Sequence, residues 1–104
     1  MTRYVLSEAA QADVFEIWAY LHEHAGPEIA LGLVDELRNA MRKLASNPHI
    51  GHPREDLTPL AVLFWPVQSY LVIYNPQTKP LSVARVVHAS RNVRFVLKEN
   101  NGRR

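Results

Sequence analysis

The residues best suited to chemistry lie near the end of the chain, in the segment RVVHASRNVRFVL at positions 85–97. An imidazole (His88) and a hydroxyl (Ser90) follow a β-prone run, and two guanidinium groups (Arg91 and Arg94) come soon after them. An imidazole can transfer a proton, and arginines can stabilise negative charge on a phosphate, so this group could form a nuclease site. The same residues could instead form a basic docking surface or a structural corner.

For His88 a structural role is the favoured interpretation. It stands at the end of the run Val83–Val87, where an imidazole can hydrogen-bond the backbone of the following turn. Within the same run Arg85 alternates with Val86 and should point away from it, to solvent or to a carboxylate on a helix.

Other kinds of site have weaker support. His22 and His24 are too close together to share one helix face, and His49 and His52 lie in a loop without a nearby cysteine, so we predict no metal site. The chain has neither a glycine-rich phosphate loop nor a nucleophile elbow, and we expect no cofactor.

The length of 104 residues predicts a single domain, which we place at residues 1–98, followed by a flexible basic tail at 99–104. The absence of cysteine excludes disulfides and thiol catalysis and is typical of a reducing compartment. We see no signal peptide, and the longest apolar run, Leu60–Val67, is too short to span a bilayer. We therefore expect a cytoplasmic protein that does not contact membranes.

Charge is distributed unevenly although the net charge is only +2. Residues 1–36 carry most of the acidic side chains and a single arginine, Arg3, whereas most of the cationic side chains lie from Arg38 onward. An acidic face and a basic face would follow, the second suited to nucleic acid or an acidic partner. Ordinary solvated surface is the alternative.

Two amphipathic helices are predicted in the first half. Ser7 stands at the N-cap position of the first helix, and Gly26 with Pro27 separates it from the second, which ends before Asn47 and Pro48. Apolar residues at helical spacing form one stripe on each helix: Ala10, Val14, Ile17 and Leu21 on the first, and Ala30, Leu33, Val34, Leu37, Met41 and Leu44 on the second. So short a link predicts an antiparallel helical hairpin.

The second half predicts three strands, at Leu60–Trp65, Tyr70–Tyr74 and Ser82–His88, after a short strand at the N-terminus. Tyr70 and Tyr74 should share one face and pack in the core. Short connections favour antiparallel neighbours. The predicted fold class is α+β, in the order β-α-α-β-β-β, with an antiparallel sheet packed against the N-terminal helical hairpin and a short basic segment at the C-terminus.

Three large apolar residues fall outside the stripes. At 100° per residue, Phe15 lies more than a quarter-turn from the first stripe, Trp18 lies at its edge, and Leu31 is displaced from the second. Large exposed aromatics are typical anchors of protein interfaces, so these residues predict a partner. The alternative is that the C-terminal segment Phe95–Leu97 folds back over them.

The ordered motifs resemble the ParE/RelE superfamily of toxins from type II toxin–antitoxin modules, and specifically its ParE branch. The matching pieces, in family order across nearly the whole chain, are Tyr4-Val-Leu-Ser7, Ala10-x-x-Asp13-Val14-x-x-Ile17-x-x-Tyr20, Leu44-x-x-x-Pro48-x-x-Gly51, Tyr70-Leu-Val-Ile-Tyr74 and Arg85-Val-Val-His88. The resemblance implies the same fold that periodicity predicts.

The resemblance also implies a function. ParE-like members inhibit DNA gyrase without a recognised hydrolytic site, whereas RelE-like members are ribosome-dependent mRNA endonucleases that use a basic cluster and a C-terminal tyrosine. No tyrosine follows Tyr74 here, which argues against nuclease activity. We therefore expect a gyrase inhibitor that acts by binding, is neutralised by a ParD-like antitoxin, and binds no nucleic acid in a sequence-specific way.

The expected residues follow from this interpretation. Target-binding residues are Arg91, Arg94 and Lys98, and antitoxin-binding residues are Phe15, Trp18 and Leu31. No catalytic residue is expected; in the nuclease alternative His88, Arg91 and Arg54 would act. A third alternative is an inert homologue that mainly binds its antitoxin. The stretch Val62–Trp65 lacks an arginine that many family members carry in the second strand, which leaves open a different target or an attenuated toxin.

Overall fold

Two helices pack on one face of a four-stranded sheet in the computed structural model, which describes residues 3–90. The elements are β1 (Tyr4–Leu6), α1 (Glu8–Ala25), α2 (Pro27–Ser46), a short 3₁₀ turn (Pro48–Ile50), β2 (Leu63–Val67), β3 (Tyr70–Asn75) and β4 (Leu81–His88). This order confirms the predicted β-α-α-β-β-β arrangement. The predicted C-terminal basic segment and tail lie outside the described residues.

Helix boundaries follow the predicted capping residues. The Ser7 hydroxyl accepts the Ala10 N–H at 3.0 Å and donates to the Ala84 carbonyl at 2.7 Å, so one side chain both starts α1 and ties it to β4. At Gly26 the backbone has a φ of 98°, a conformation that glycine adopts without strain, and the chain turns there between the helices. Pro27 then opens α2 at a position that needs no N–H donor.

The sheet has the strand order β1-β4-β3-β2 and is mixed. Strands β2, β3 and β4 are antiparallel neighbours, as the short connections predict. Strand β1 differs from the predicted antiparallel sheet because it runs parallel beside β4, with Tyr4 opposite Leu81 and Leu6 opposite Val83. The preference for antiparallel pairing applies to strands joined by short loops, and β1 and β4 are separated by nearly the whole chain.

Strand β2 begins and ends later than the predicted Leu60–Trp65, and it includes Pro66. An edge strand tolerates proline because the missing N–H is not needed by a second neighbour. The turn to β3 therefore contains only Gln68 and Ser69, with Gln68 at a φ of 54°. On the outer edge of β2, Phe64 is bridged by His52.

The apolar core has two layers, one on each face of the sheet. The larger layer fills the space between helices and sheet, where both predicted stripes pack, and includes Tyr74 with Tyr70 at its margin, which confirms that the two tyrosines share a face. The smaller layer, Phe64, Ile73 and Val87, lies on the opposite face under the loop residues Leu57 and Val62. Among residues 3–90 no helix is long and apolar enough to cross a membrane.

Tyr74 fastens the segment after α2 to the centre of the sheet. Its buried hydroxyl donates to the Pro48 carbonyl at 2.6 Å and accepts the Gly51 N–H at 3.0 Å. A Cβ at Gly51 would overlap this hydroxyl, so the close approach requires glycine. Burial raises the pKa of the Tyr74 hydroxyl above its ordinary value, while the Gly51 N–H acts in the opposite direction. The hydroxyl is therefore protonated in the folded protein at neutral pH.

Tyr74→Phe is expected to lower the free energy of unfolding by about 1–3 kcal/mol, because two partly buried backbone groups lose their partner. Urea denaturation of the two proteins measures the difference. Tyr20→Phe is the matched control, since the Tyr20 side chain is exposed, and it should leave the stability unchanged. Equal midpoints and slopes for Tyr74→Phe and the unmodified chain would show that the hydroxyl does not fasten the segment.

Candidate protein-docking groove

An open groove of about 490 Å³ runs between the two helices and strand β1. Its lining is mostly apolar and comprises Tyr4, Leu6, Gln11, Val14, Phe15, Trp18, Leu31, Val34, Leu37, Arg38 and Met41. The three residues predicted to contact a partner, Phe15, Trp18 and Leu31, all lie in it. The structure therefore brings together side chains that the sequence places on two separate helices.

The aromatic wall of the groove belongs to α1. Phe15 and Trp18 lie one turn apart with ring centroids at 6.0 Å, and Trp18 contacts His22 at 4.9 Å. The Phe15 side chain is 66% exposed, and across the groove Leu31 on α2 is 55% exposed. Such exposure of large apolar side chains on both walls is typical of a surface that a second chain covers.

The helical wheel explains why these side chains remain in solvent. Ala10, which belongs to the stripe, is fully buried against the sheet, whereas Phe15 points out of that interface. Val34 was assigned to the core stripe, but it is half-buried and lines the groove. The spacing Leu31, Val34, Arg38 could have indicated a second face of α2, since these positions follow one another at helical intervals.

Polar groups occur mainly at the rim of the groove. Arg38 lies 3.9 Å from Asp35, a loose pair between exposed side chains, and Gln11 donates to the Leu6 carbonyl at 3.1 Å. The lining residues include no carboxylate, imidazole or thiol, so the groove offers apolar contact and one guanidinium rather than acid–base chemistry. An apolar peptide with an acidic residue near Arg38 would suit it.

An ion pair fixes the position of α1 on the sheet. The Asp13 carboxylate accepts from Arg85 at 2.7 Å and 2.9 Å and from the Val86 N–H at 3.0 Å. The two side chains are only 10% and 12% exposed. Of the two orientations predicted for Arg85, the structure shows the one directed to a helix carboxylate. The ion pair therefore anchors the helix that carries Phe15 and Trp18.

His88 ends β4 and organises the turn that follows. Its Nδ1 accepts the Ser90 N–H at 3.1 Å and lies 2.8 Å from the Ser90 hydroxyl, while Tyr70 meets the ring edge-on at 5.2 Å. This is the backbone tie predicted from the sequence.

Of the residues in the nuclease alternative, the structure describes His88 and Arg54, and it does not bring these two together. Arg54 makes two hydrogen bonds to Asp56, at 3.0 Å and 2.9 Å, which raise the pKa of Arg54 above its ordinary value. Arg54 lines a cavity together with Gln77, which follows the last residue of β3. His88 pairs with Tyr70, which is the first residue of β3. At about 3.3 Å per residue, the two ends of β3 are roughly 17 Å apart. Arg91, the third member, and the target-binding residues Arg94 and Lys98 lie outside the described residues, as does Phe95–Leu97.

Comparison with known proteins gives the family. A sequence profile described as "ParE toxin of type II toxin-antitoxin system, parDE" matches residues 4–93. Toxin ParE1 of Caulobacter vibrioides is 32% identical over 94 residues, which cover 90% of this chain and 96% of that protein. The chain belongs to the ParE toxin family.

Two further comparisons agree with ParE membership. Toxin ParE1 of Mycobacterium tuberculosis is 38% identical over 58 residues, which cover 56% of this chain and 59% of that protein. A solved structure titled "Chromosomal ParDE TA system from P. aeruginosa" superposes with a TM-score of 0.71 at 20% identity, covering 85% of this chain and 96% of that one. At this identity the superposition shows a shared fold.

Several residues that carry the ParE resemblance form hydrogen bonds between different elements of the fold. Ser7 caps α1 and bonds β4, Asp13 pairs with Arg85, and the Tyr74 hydroxyl holds the backbone of Pro48 and Gly51. Each of these interactions connects a helix or a loop to the sheet. The motif set therefore identifies the scaffold, and the groove residues Phe15 and Leu31 do not belong to it.

Proposed function

We propose that this chain is the toxin of a type II toxin–antitoxin pair, that it inhibits DNA gyrase by binding, and that a ParD-like antitoxin seated in the groove keeps it inactive. The observation that carries the antitoxin part of the proposal is the groove itself. Its two walls expose Phe15 and Leu31 to solvent, and burying such side chains releases free energy of about 1.5–3 kcal/mol each.

A flexible antitoxin segment is the occupant we favour. The groove is open to solvent and is bordered by β1, whose Tyr4 and Leu6 line it, so an extended or helical segment could enter it without rearranging the helices. Arg38 at the rim would pair with an acidic residue of that segment. The relative from P. aeruginosa is named for a system of two components, which supports the assignment of such a partner.

Binding rather than hydrolysis is proposed for the toxic activity. Cleavage of RNA needs a base, an acid and cations close together, whereas His88 and Arg54 lie at opposite ends of β3. Sequence adds that no tyrosine follows Tyr74. Gyrase is proposed as the target from the ParE resemblance, with Arg91, Arg94 and Lys98 as contacts.

Purified, antitoxin-free protein is expected to inhibit supercoiling by DNA gyrase and to leave mRNA intact on translating ribosomes. Both reactions should be run with one preparation, and addition of the purified antitoxin should restore supercoiling. Codon-position cleavage of mRNA with gyrase unaffected would contradict the proposal and favour the nuclease alternative. Failure of both assays by folded protein would favour an inert homologue.

His88→Ala separates a structural role from a catalytic one in the same assays. The variant should retain gyrase inhibition and lose about 1 kcal/mol of stability, the usual value of a hydrogen bond at a strand end. Ser90→Ala is the comparison variant: it removes the hydroxyl contact but keeps the backbone N–H that His88 accepts, so it should lose less stability than His88→Ala. Unchanged stability of His88→Ala together with loss of all activity would point to chemistry at the imidazole.

A further inference from the structure

A second cavity, of about 280 Å³, lies on the side of α1 opposite the groove. It opens between α1 and the sheet where β3 begins and β4 ends. The helix contributes Asp13, Glu16, Ile17 and Tyr20, and the strands contribute Tyr70, Val86, Val87 and His88. At 100° per residue, these helix positions are half a turn from Phe15 and Trp18, so one helix separates two distinct surfaces.

Two tyrosine rings form the walls of this cavity. The Tyr20 side chain is 56% exposed on α1, and Tyr70 is half-buried at the start of β3. Tyr70 and His88 pack nearly perpendicular to each other, with ring centroids 5.2 Å apart. Aromatic faces carry partial negative charge and attract cations.

The charged and polar groups around the cavity favour a positive ligand. Glu16 is exposed and makes no ion pair or hydrogen bond within residues 3–90, whereas the charge of Asp13 is already compensated by Arg85. Because the Val86 N–H points to Asp13, the Val86 carbonyl also points to the helix side of the strand, where it adds a hydrogen-bond acceptor.

We propose that this cavity binds the guanidinium group of an arginine presented by a partner protein. A planar guanidinium can stack on a tyrosine face while it donates to the Glu16 carboxylate and the Val86 carbonyl. An ammonium group cannot stack in this way, so arginine is favoured over lysine. The proposal rests on the cavity alone and is independent of whether the groove binds an antitoxin or the target is gyrase.

The test is an NMR titration of the purified full chain with Nα-acetyl-arginine amide. Saturable shifts of the Tyr20, Tyr70 and His88 ring signals are expected. The neutral isostere Nα-acetyl-citrulline amide should produce no such shifts, and the lysine analogue should bind more weakly. Glu16→Gln should weaken arginine binding by about fivefold or more, because it removes a charge-assisted hydrogen bond.

Two variants keep the result interpretable. Glu28→Gln is the matched control, since Glu28 is exposed on α2 and does not line the cavity, and it should bind as the unmodified chain does. Tyr20→Leu removes one aromatic wall and should also weaken binding. Equal binding of the citrulline and arginine analogues, unchanged affinity in Glu16→Gln, or the absence of saturable shifts would each overturn the proposal.

Discussion

Asp13→Ala is expected to lower the free energy of unfolding by about 3–5 kcal/mol, the usual cost of leaving one member of a buried ion pair without its partner. The carboxylate accepts from both Arg85 and the Val86 N–H, so its removal takes away two charge-assisted hydrogen bonds and the acceptor of a backbone donor at once. Such a loss is a large fraction of the free energy of unfolding of a small domain, which is about 5–15 kcal/mol. A large part of the variant population should therefore unfold on mild heating. Thermal and urea denaturation followed by circular dichroism measure the loss.

Asp35→Ala is the control for this prediction. It makes the same substitution in a helix, but Asp35 is exposed and lies 3.9 Å from Arg38, so the change should cost less than about 1 kcal/mol. Similar losses in the two variants would mean that the Asp13 pair is no more important than a surface contact. Asp13→Asn adds a second measurement, since an amide can still accept the Val86 N–H but does not neutralise Arg85.

Phe15→Ala and Trp18→Ala are each expected to weaken binding of the cognate antitoxin by about 2 kcal/mol, roughly thirtyfold in affinity, with folding retained. Both side chains form the aromatic wall of the groove. Phe15 is 66% exposed in the free chain, so little of the fold depends on it, and Trp18 is half-buried. Isothermal titration calorimetry against the purified antitoxin measures the change, after circular dichroism has shown that each variant is folded.

Leu31 and Ile29 provide a matched pair for the same experiment. They lie two residues apart on α2 and are 55% and 57% exposed, but only Leu31 lines the groove. Leu31→Ala should weaken antitoxin binding and Ile29→Ala should not. Equal effects of the two substitutions, or unchanged affinity in the folded Phe15 and Trp18 variants, would place the antitoxin elsewhere on the surface.

The sequence predicted correctly those features that depend on residues close together in the chain. Ser7, Gly26 and Pro27 mark the helix ends because capping and proline effects act within one turn. The exposure of Phe15 followed from helical geometry in the same way. Strand β2 was misplaced because its edge position, which tolerates Pro66, depends on the order of strands in the sheet.

Long-range partners were the part that sequence could not supply. Asp13 and Arg85 are 72 positions apart in the chain. Strand periodicity alone therefore did not decide whether the Arg85 side chain points to solvent or to a helix carboxylate. Glu16 and Tyr20 gave no local signal of a shared cavity with Tyr70, because that cavity exists only where α1 crosses the ends of β3 and β4. The groove likewise required the two helices and β1 to be placed together.

The position of β4 has a consequence for synthesis of the chain. Strand β4 is the last element to leave the ribosome among those described, yet it lies inside the sheet, between β1 and β3. Until it is made, β1 has no strand to pair with, and Ser7 and Asp13 lack the backbone groups that anchor α1. Contacts between distant parts of a chain form late. The nascent polypeptide therefore acquires a finished groove only after β4 has been synthesised, and a premature stop before Leu81 would leave an unanchored helical hairpin.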